Sequence, residues 1–201
     1  METPRQDSRM PRILSICRQM PRHHRIQKNL NAAQSLMKVF IVYDTKYGNT
    51  KHAAESIAEG ISECPGIETS IGYAKKIDAK KLIDYDVLVL GAPNHMGRPS
   101  QTIQNFVNRL TKLDLKAKNM AIFGTYAGKV RDPDRAVKKL EKLAEKKLPY
   151  LKLISPTLSI RVRGLPGPME EGELPKCKVF GKKIANQLKE TYSQAKRDDK
   201  N

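Results

Sequence analysis

Short apolar runs alternate with longer amphipathic stretches along the chain from Lys38 to about Glu190. Two of the runs, "KVFIVY" and "DVLVLGAP", are almost continuously apolar and rich in β-branched residues, which predicts strands buried on both faces. Three further strands are predicted, in "GIETSIGY", in "NMAIFG" and in the pair "YLKLI" and "PTLSI", which is interrupted at Pro156.

The segments between these strands carry apolar residues at i, i+3, i+4 and i+7, as one face of an amphipathic helix does. The segment "IQNFVNRL" shows this stripe most clearly. Residues that favour helix starts precede the stripes. We therefore predict N-caps at Asp78, Ser100 and Asp132, and a last helix that begins near Pro175.

Strands and helices that alternate in this way predict an α/β fold, in which helices cover both faces of a parallel sheet. The expected architecture is a three-layer α/β/α sandwich around a five-stranded parallel sheet of order 2-1-3-4-5. Ligands bind such sheets beyond the carboxyl ends of the strands, where the strand order reverses. The loops expected at that point are "DTKYGNT", "GAPNHMGRPS" and "GTYAGKVRD".

The loop "DTKYGNT" has the composition of an anion site. It leads into a predicted helix, where free backbone N–H groups and the helix dipole favour a negative charge. Thr45 and Thr50 add hydroxyl groups, Asn49 adds an amide, and Gly48 lets the backbone turn close to a ligand. The alternative interpretation is structural: Thr50 caps the helix and Gly48 makes the turn.

Composition narrows the class of protein. The 201 residues suffice for one domain with a core, and no apolar run approaches the roughly 18 residues of a membrane helix. Three cysteines without paired spacing indicate a reducing compartment, so we expect a cytoplasmic protein. Four histidines cannot build a His-rich metal site, and no metal is expected. The net charge of +17 indicates either an anionic partner or an adaptation to the cytoplasm, and the charge alone does not distinguish the two.

The chain divides into three regions. Residues 1–36 lack periodicity, so we expect a disordered basic extension, or a stretch translated from a wrong start with Met37 as the true first residue. A targeting segment is the alternative, because the stretch is Arg-rich and acid-poor. Residues 37–190 form the folded domain, and residues 191–201 are expected to be a frayed polar tail.

Four segments together resemble successive parts of the flavodoxin family. They are "YDTKYGNTKHAAESIAEGI", "VLVLGAPNHMGRPSQTIQNFV", "AIFGTYAGK" and "CKVFGKKIANQL". The likeness is greatest to the flavodoxin domain of the A-type flavoproteins, and it covers all three candidate loops in the right order. It implies a flavodoxin-like fold, non-covalent FMN and electron transfer.

The resemblance also implies which part of FMN each candidate loop would contact. It assigns no catalytic residue. Thr45, Lys46, Tyr47, Gly48, Asn49 and Thr50 would hold the phosphate. The first wall of the isoalloxazine site would be Pro93, Asn94, His95, Met96 and Gly97, and the second would be Thr125, Tyr126, Ala127 and Gly128. Because the chain has no Trp and these walls offer only Tyr126 as an aromatic, we expect weaker stacking than in most flavodoxins.

Three functions remain open at this point. The favoured one is an electron carrier whose partner is an acidic redox protein, such as a ferredoxin or rubredoxin. The second is an FMN-dependent oxidoreductase that moves electrons from NAD(P)H to a quinone-type acceptor. The third is a flavin-free basic module, although no nucleic-acid motif accompanies the charge. Since this chain lacks the histidines of the di-iron domain found in A-type flavoproteins, it is not expected to reduce oxygen or nitric oxide alone.

Overall fold

The computed structural model describes residues 36–198, with side chains as far as residue 194. The predicted extension over residues 1–36 lies outside this range except for Leu36, and so do residues 199–201 of the predicted tail. The elements in chain order are β1 (Met37–Tyr43), α1 (Asn49–Ser62), β2 (Ile67–Tyr73), a 3-10 helix (Ala79–Leu82), β3 (Val87–His95), β4 (Arg98–Pro99), α2 (Gln101–Leu110), β5 (Asn119–Ala127), α3 (Arg135–Lys147), β6 (Lys152–Leu153), β7 (Leu158–Val162) and α4 (Glu173–Asp198).

The sheet confirms the predicted strand order. β1 lies between β2 and β3, β3 pairs with β5, and all of these pairs are parallel. The fifth position is shared: β6 pairs with the start of β5 and β7 pairs with its end. Pro156 lies in the gap between β6 and β7, where its missing amide hydrogen cannot interrupt a ladder. This split and the short β4, which pairs antiparallel with β3, raise the count from the predicted five strands to seven.

Helices cover both faces of the sheet, as predicted. On one face α1 and α4 bury side chains such as Ile57 and Ile184 against Ile41 and Phe123. On the other face α2, α3 and the 3-10 helix pack around Leu90, with a second core cluster of their own. The sheet is therefore buried on both sides, which explains why β1 and β3 are nearly continuous in apolar residues.

The helix starts differ in detail from the predicted ones. Asp78 caps the 3-10 helix by accepting a hydrogen bond from the Lys80 amide at 3.1 Å. Ser100 stands at the N-cap of α2, yet its hydroxyl makes no capping bond. α3 begins at Arg135, because the Asp132 carboxylate accepts from the Asp134 amide and forms a turn ahead of the helix. α4 extends further than predicted, from Glu173 through Asp198.

Candidate functional site

The three predicted loops meet at the carboxyl edge of the sheet and enclose a cavity. Its volume is about 60 Å³, and its mouth is open to solvent. The cavity lies beyond the carboxyl ends of β1 and β3, the two neighbouring strands between which the strand order reverses. Its lining residues are Thr45, Lys46, Tyr47, Asn49, Thr50, Pro93, Asn94, His95, Thr125, Tyr126, Ala127, Val162 and Leu165.

The loop between β1 and α1 leaves the start of the helix open. Gly48 is the N-cap, with a φ of 89° that favours glycine, and no side chain caps the helix. The Thr45 hydroxyl accepts a hydrogen bond from the Gly48 amide at 2.9 Å, which shapes the turn. The first-turn N–H groups that follow Gly48 therefore remain available to an anion. The structural interpretation is wrong about Thr50, which is not the cap, and correct about Gly48, which makes the turn.

Thr50 instead connects two of the predicted loops. Its hydroxyl lies 2.8 Å from that of Thr125 at the end of β5, and both side chains are buried. This contact fixes the start of α1 against the strand that carries the second predicted ring wall. The phosphate loop and that wall thus form one connected site.

The first predicted ring wall divides between two clefts. Pro93, Asn94 and His95 line the cavity, whereas the chain then reverses in a two-residue turn between His95 and Arg98. The Asn94 carboxamide oxygen accepts from the Gly97 amide at 2.6 Å and holds this turn. Because of this turn, Met96 and Gly97 do not line the cavity. Two other predicted residues, Gly48 and Gly128, do not line it either.

A fourth segment, which the sequence interpretation missed, closes the site. After β7 the chain forms a hairpin in which the Arg163 amide donates to the Pro168 carbonyl at 3.0 Å. Val162 and Leu165 from this segment line the cavity. The Asn49 amide group donates to the Pro166 carbonyl at 2.6 Å, so the hairpin is attached to the phosphate loop. The turn signal "GLPGP" directly after a predicted strand was available in the sequence.

The cations beside the phosphate loop have different roles. Lys46 lines the cavity, and its amine lies 5.1 Å from the centre of the Tyr47 ring. Lys51 instead forms an ion pair with Glu55 at 3.1 Å, and this hydrogen bond raises the pKa of Lys51. His52 also contacts Glu55, at 3.3 Å. Lys46 is therefore the lysine of this loop that is placed to contact a ligand.

The arrangement suits a flat ring that carries a phosphate. The open helix start offers N–H donors to an anion, and the loops after β3 and β5 both line the cavity beside it. Comparison with known proteins agrees with this geometry, because residues 40–160 match the family model described as "Flavodoxin domain". The chain belongs to the flavodoxin family.

Relatives of this flavodoxin domain include proteins named flavodoxin and type A flavoprotein. A flavodoxin of Aquifex aeolicus is 35% identical over 69 residues, which are 34% of this chain and 37% of that protein. The type A flavoprotein fprA of Rhodobacter capsulatus is 27% identical over 154 residues, which are 75% of this chain and 33% of that protein. The chain thus spans about a third of the length of these two relatives.

Solved structures give the flavodoxin domain the same fold. The oxidised flavodoxin 2 of Bacillus cereus superimposes with a TM-score of 0.63 at 24% identity, covering 75% of this chain and 99% of that one.

In the described part of the flavodoxin domain, no three His, Cys, Asp or Glu side chains are grouped so that they could hold a metal ion. None of the helices within residues 36–198 has both the length and the apolar character that crossing a membrane requires.

Proposed function

We propose that this chain is an FMN-binding flavodoxin-like electron-transfer protein. The observation that carries the proposal is the uncapped start of α1, where Gly48 turns the backbone and no side chain occupies the first-turn N–H groups. A phosphate monoester satisfies several such donors at once, and the helix dipole adds to the attraction. Family membership and this anion site support the same cofactor.

The residues present fit FMN at both ends. The phosphate would lie against Thr45, Lys46, Gly48, Asn49 and Thr50, with Tyr47 beside it. The isoalloxazine would lie between two walls, formed by residues 93–95 and residues 125–127, and the hairpin after β7 would add Val162 and Leu165. When bound, FMN supplies one- and two-electron transfer. The chain itself positions the ring, neutralises the phosphate and limits the access of water.

The proposed reaction requires a redox partner protein. Basic side chains surround the ring end of the site, namely Arg98, Lys129 and Arg131, and all of them are exposed. Opposite charge accelerates encounter, so an acidic carrier such as a ferredoxin or rubredoxin is the expected partner. The expected compartment is the cytoplasm, where thiols such as those of Cys64 and Cys177 stay reduced.

The test compares flavins that differ only at the phosphate end. We expect FMN to bind more tightly than riboflavin by at least about 2 kcal/mol, because riboflavin lacks the group that the helix start would hold. FAD, whose second phosphate has no site in this loop, should also bind more weakly than FMN. Flavin fluorescence quenching on the purified chain measures all three affinities.

The variant Lys46→Gln tests the phosphate site apart from the ring site. It removes the positive charge of the lysine that lines the cavity, so FMN affinity should fall by about 1–2 kcal/mol while riboflavin affinity changes little. Equal binding of FMN and riboflavin by the unmodified chain would disprove the proposed phosphate site. Failure to bind any flavin would disprove the function.

A further inference from the structure

Three large apolar side chains are exposed around one cleft beside the proposed ring site. They are Met96 at 99% exposure, Leu165 at 72% and Val130 at 41%, and we call them the rim patch. The cleft has a volume of about 700 Å³ and shares Asn94, Ala127 and Leu165 with the site cavity. An apolar patch at this place is a feature of interaction surfaces.

Met96 occupies its position at a conformational disadvantage. It lies at the first position of the two-residue turn between His95 and Arg98, with φ of 54°, and it is the single non-glycine residue with positive φ in residues 36–198. Such turns prefer Gly or Asn, because a side chain in the left-handed region collides with its own backbone. Since Met96 is fully exposed, core packing does not offset that strain.

The same cleft carries cationic groups. Arg131 and Arg135 line it together with Asp132. Restricted solvation, with the charges of Arg135 and Arg98 nearby, lowers the pKa of Lys139, so these cations lie close together. Within the part of the chain that the structure describes, none of Arg98, Arg131 and Arg135 forms an ion pair.

We propose that the rim patch and the surrounding arginines form the docking surface for an acidic electron-carrier protein, whose own contact face is apolar at its centre and ringed by carboxylates. The inference rests on the proposed function, because docking here places the carrier beside the ring site. Outward-pointing side chains favour a protein over a small ligand, which would require a pocket that surrounds it. Methionine and arginine are also enriched in protein interfaces, and methionine adapts its shape to a partner.

The experiment measures binding of a zinc-substituted rubredoxin and of a plant-type ferredoxin to the full chain by isothermal titration calorimetry, without FMN and with it. We expect binding of at least one carrier that weakens as salt rises. Met96→Gly, which relieves the backbone, should weaken it about fivefold or more. Arg131→Glu with Arg135→Glu should weaken it about tenfold or more.

The matched control reverses two charges at the opposite edge of the sheet. Lys112→Glu with Lys118→Glu makes the same change in net charge before the start of β5, and we expect carrier binding close to that of the unmodified chain. The inference is overturned if neither carrier binds, if Met96→Gly binds as well as the unmodified chain, or if the control weakens binding as much as the arginine variant. The inference is also overturned if duplex DNA binds to the same arginines and neither carrier does. An FMN titration monitored by absorbance reports separately on the proposed function.

Discussion

At the scale of single residues, the contact between the Thr50 and Thr125 hydroxyls holds two parts of the site together. Both groups are buried, and they lie 2.8 Å apart, on α1 and β5. A buried hydroxyl that loses its partner retains the cost of desolvation. The pair therefore stabilises the fold and also fixes the distance between the two parts of the proposed FMN site.

A double-mutant cycle on this pair should show coupling. We expect Thr50→Val alone and Thr125→Val alone to lower the free energy of unfolding by about 1–2 kcal/mol each, because each leaves one buried hydroxyl unpaired. The double variant should lose less than the sum of the two, since no orphaned group remains. Urea denaturation of the ligand-free chain measures all four free energies, and strict additivity would show that the hydroxyls do not interact.

Met96 provides a second prediction about single residues, which concerns stability alone. Replacing Met96 by Gly should raise the free energy of unfolding by about 0.5–1 kcal/mol, because glycine adopts the left-handed region without strain. The converse change, Gly97→Ala at φ 76°, should lower it, and the added methyl group would also press on the Arg135 side chain. Thermal melts of both variants give the sign, and a less stable Met96→Gly would contradict the strain.

The sequence predicted the individual site residues where one loop supplied both backbone and side-chain donors. Residues 45–50 form a contiguous motif at a helix start, and such a motif is readable without any tertiary information. Leu165 was missed because its position depends on the hydrogen bond from Asn49 to Pro166, two residues that lie 117 positions apart in the chain. Met96 was assigned to the ring wall through the family resemblance, and the two-residue turn that carries it away from the cavity has no Asn-Gly signal to indicate otherwise.

At the scale of helices and strands, α1 and α4 approach each other closely. Gly60 faces the backbone of Lys178, and Gly181 faces the backbone of Ile57, with no room for a methyl group at either position. The two helices therefore approach backbone to backbone, and this contact positions the start of α1, where the phosphate would bind. Its glycines are required by packing, although glycine is a poor helix former.

We expect Gly60→Ala to destabilise the chain by about 1–3 kcal/mol, because overpacking outweighs the gain in helix propensity. Ser62→Ala serves as the control, since it lies exposed near the end of the same helix. It should change the free energy of unfolding by less than about 0.5 kcal/mol. Denaturant unfolding distinguishes the two, and a neutral Gly60→Ala would show that the helices can separate.

The same helix pair carries a small pH dependence. Glu63 lies 2.7 Å from the Lys178 amine and 2.6 Å from the Lys182 amine, and these hydrogen bonds lower the pKa of Glu63. A carboxyl group with a lowered folded-state pKa stabilises the fold above its ordinary pKa of 4.5, and the effect is lost as the pH falls through the folded value. We expect Glu63→Gln to be less stable than the unmodified chain at pH 7, with the difference disappearing toward pH 3. Melting temperatures across that range test the sign.

For the whole molecule, hydrophobic periodicity predicted the strands and their burial, whereas their order was the one expected of the fold that the alternation and the family resemblance imply. β1 and β3 are buried on both faces and therefore have the most distinctive sequences. The split of the fifth position into β6 and β7 was anticipated at Pro156, but the register of each with β5 depends on tertiary packing. The two-residue turn between His95 and Arg98 returns the chain against β3, so β4 forms inside a segment that the pattern assigned to a loop.

Removal of residues 1–36 tests the predicted organisation of the chain. Among residues 36–194, the buried members of both core clusters begin at Val39, and the Met37 amide already pairs with the Gly66 carbonyl at the start of β1. A chain that begins at Met37 should therefore melt at the same temperature as the full chain and bind FMN equally well. Differential scanning calorimetry checks the first point, and a loss of several degrees would show that the extension stabilises the domain.

The cavity assembles residues from Thr45 to Leu165, and no short stretch of the chain contains more than a part of it. An unfolded chain accordingly has no binding site to offer, so any ligand that contacts all four segments binds the native state alone. By mass action, a free ligand at 100 times its dissociation constant would add about 2.7 kcal/mol to the free energy of unfolding. The folded fraction in a cell would then rise with the concentration of the cofactor, and chains synthesised in excess of the cofactor would be degraded first.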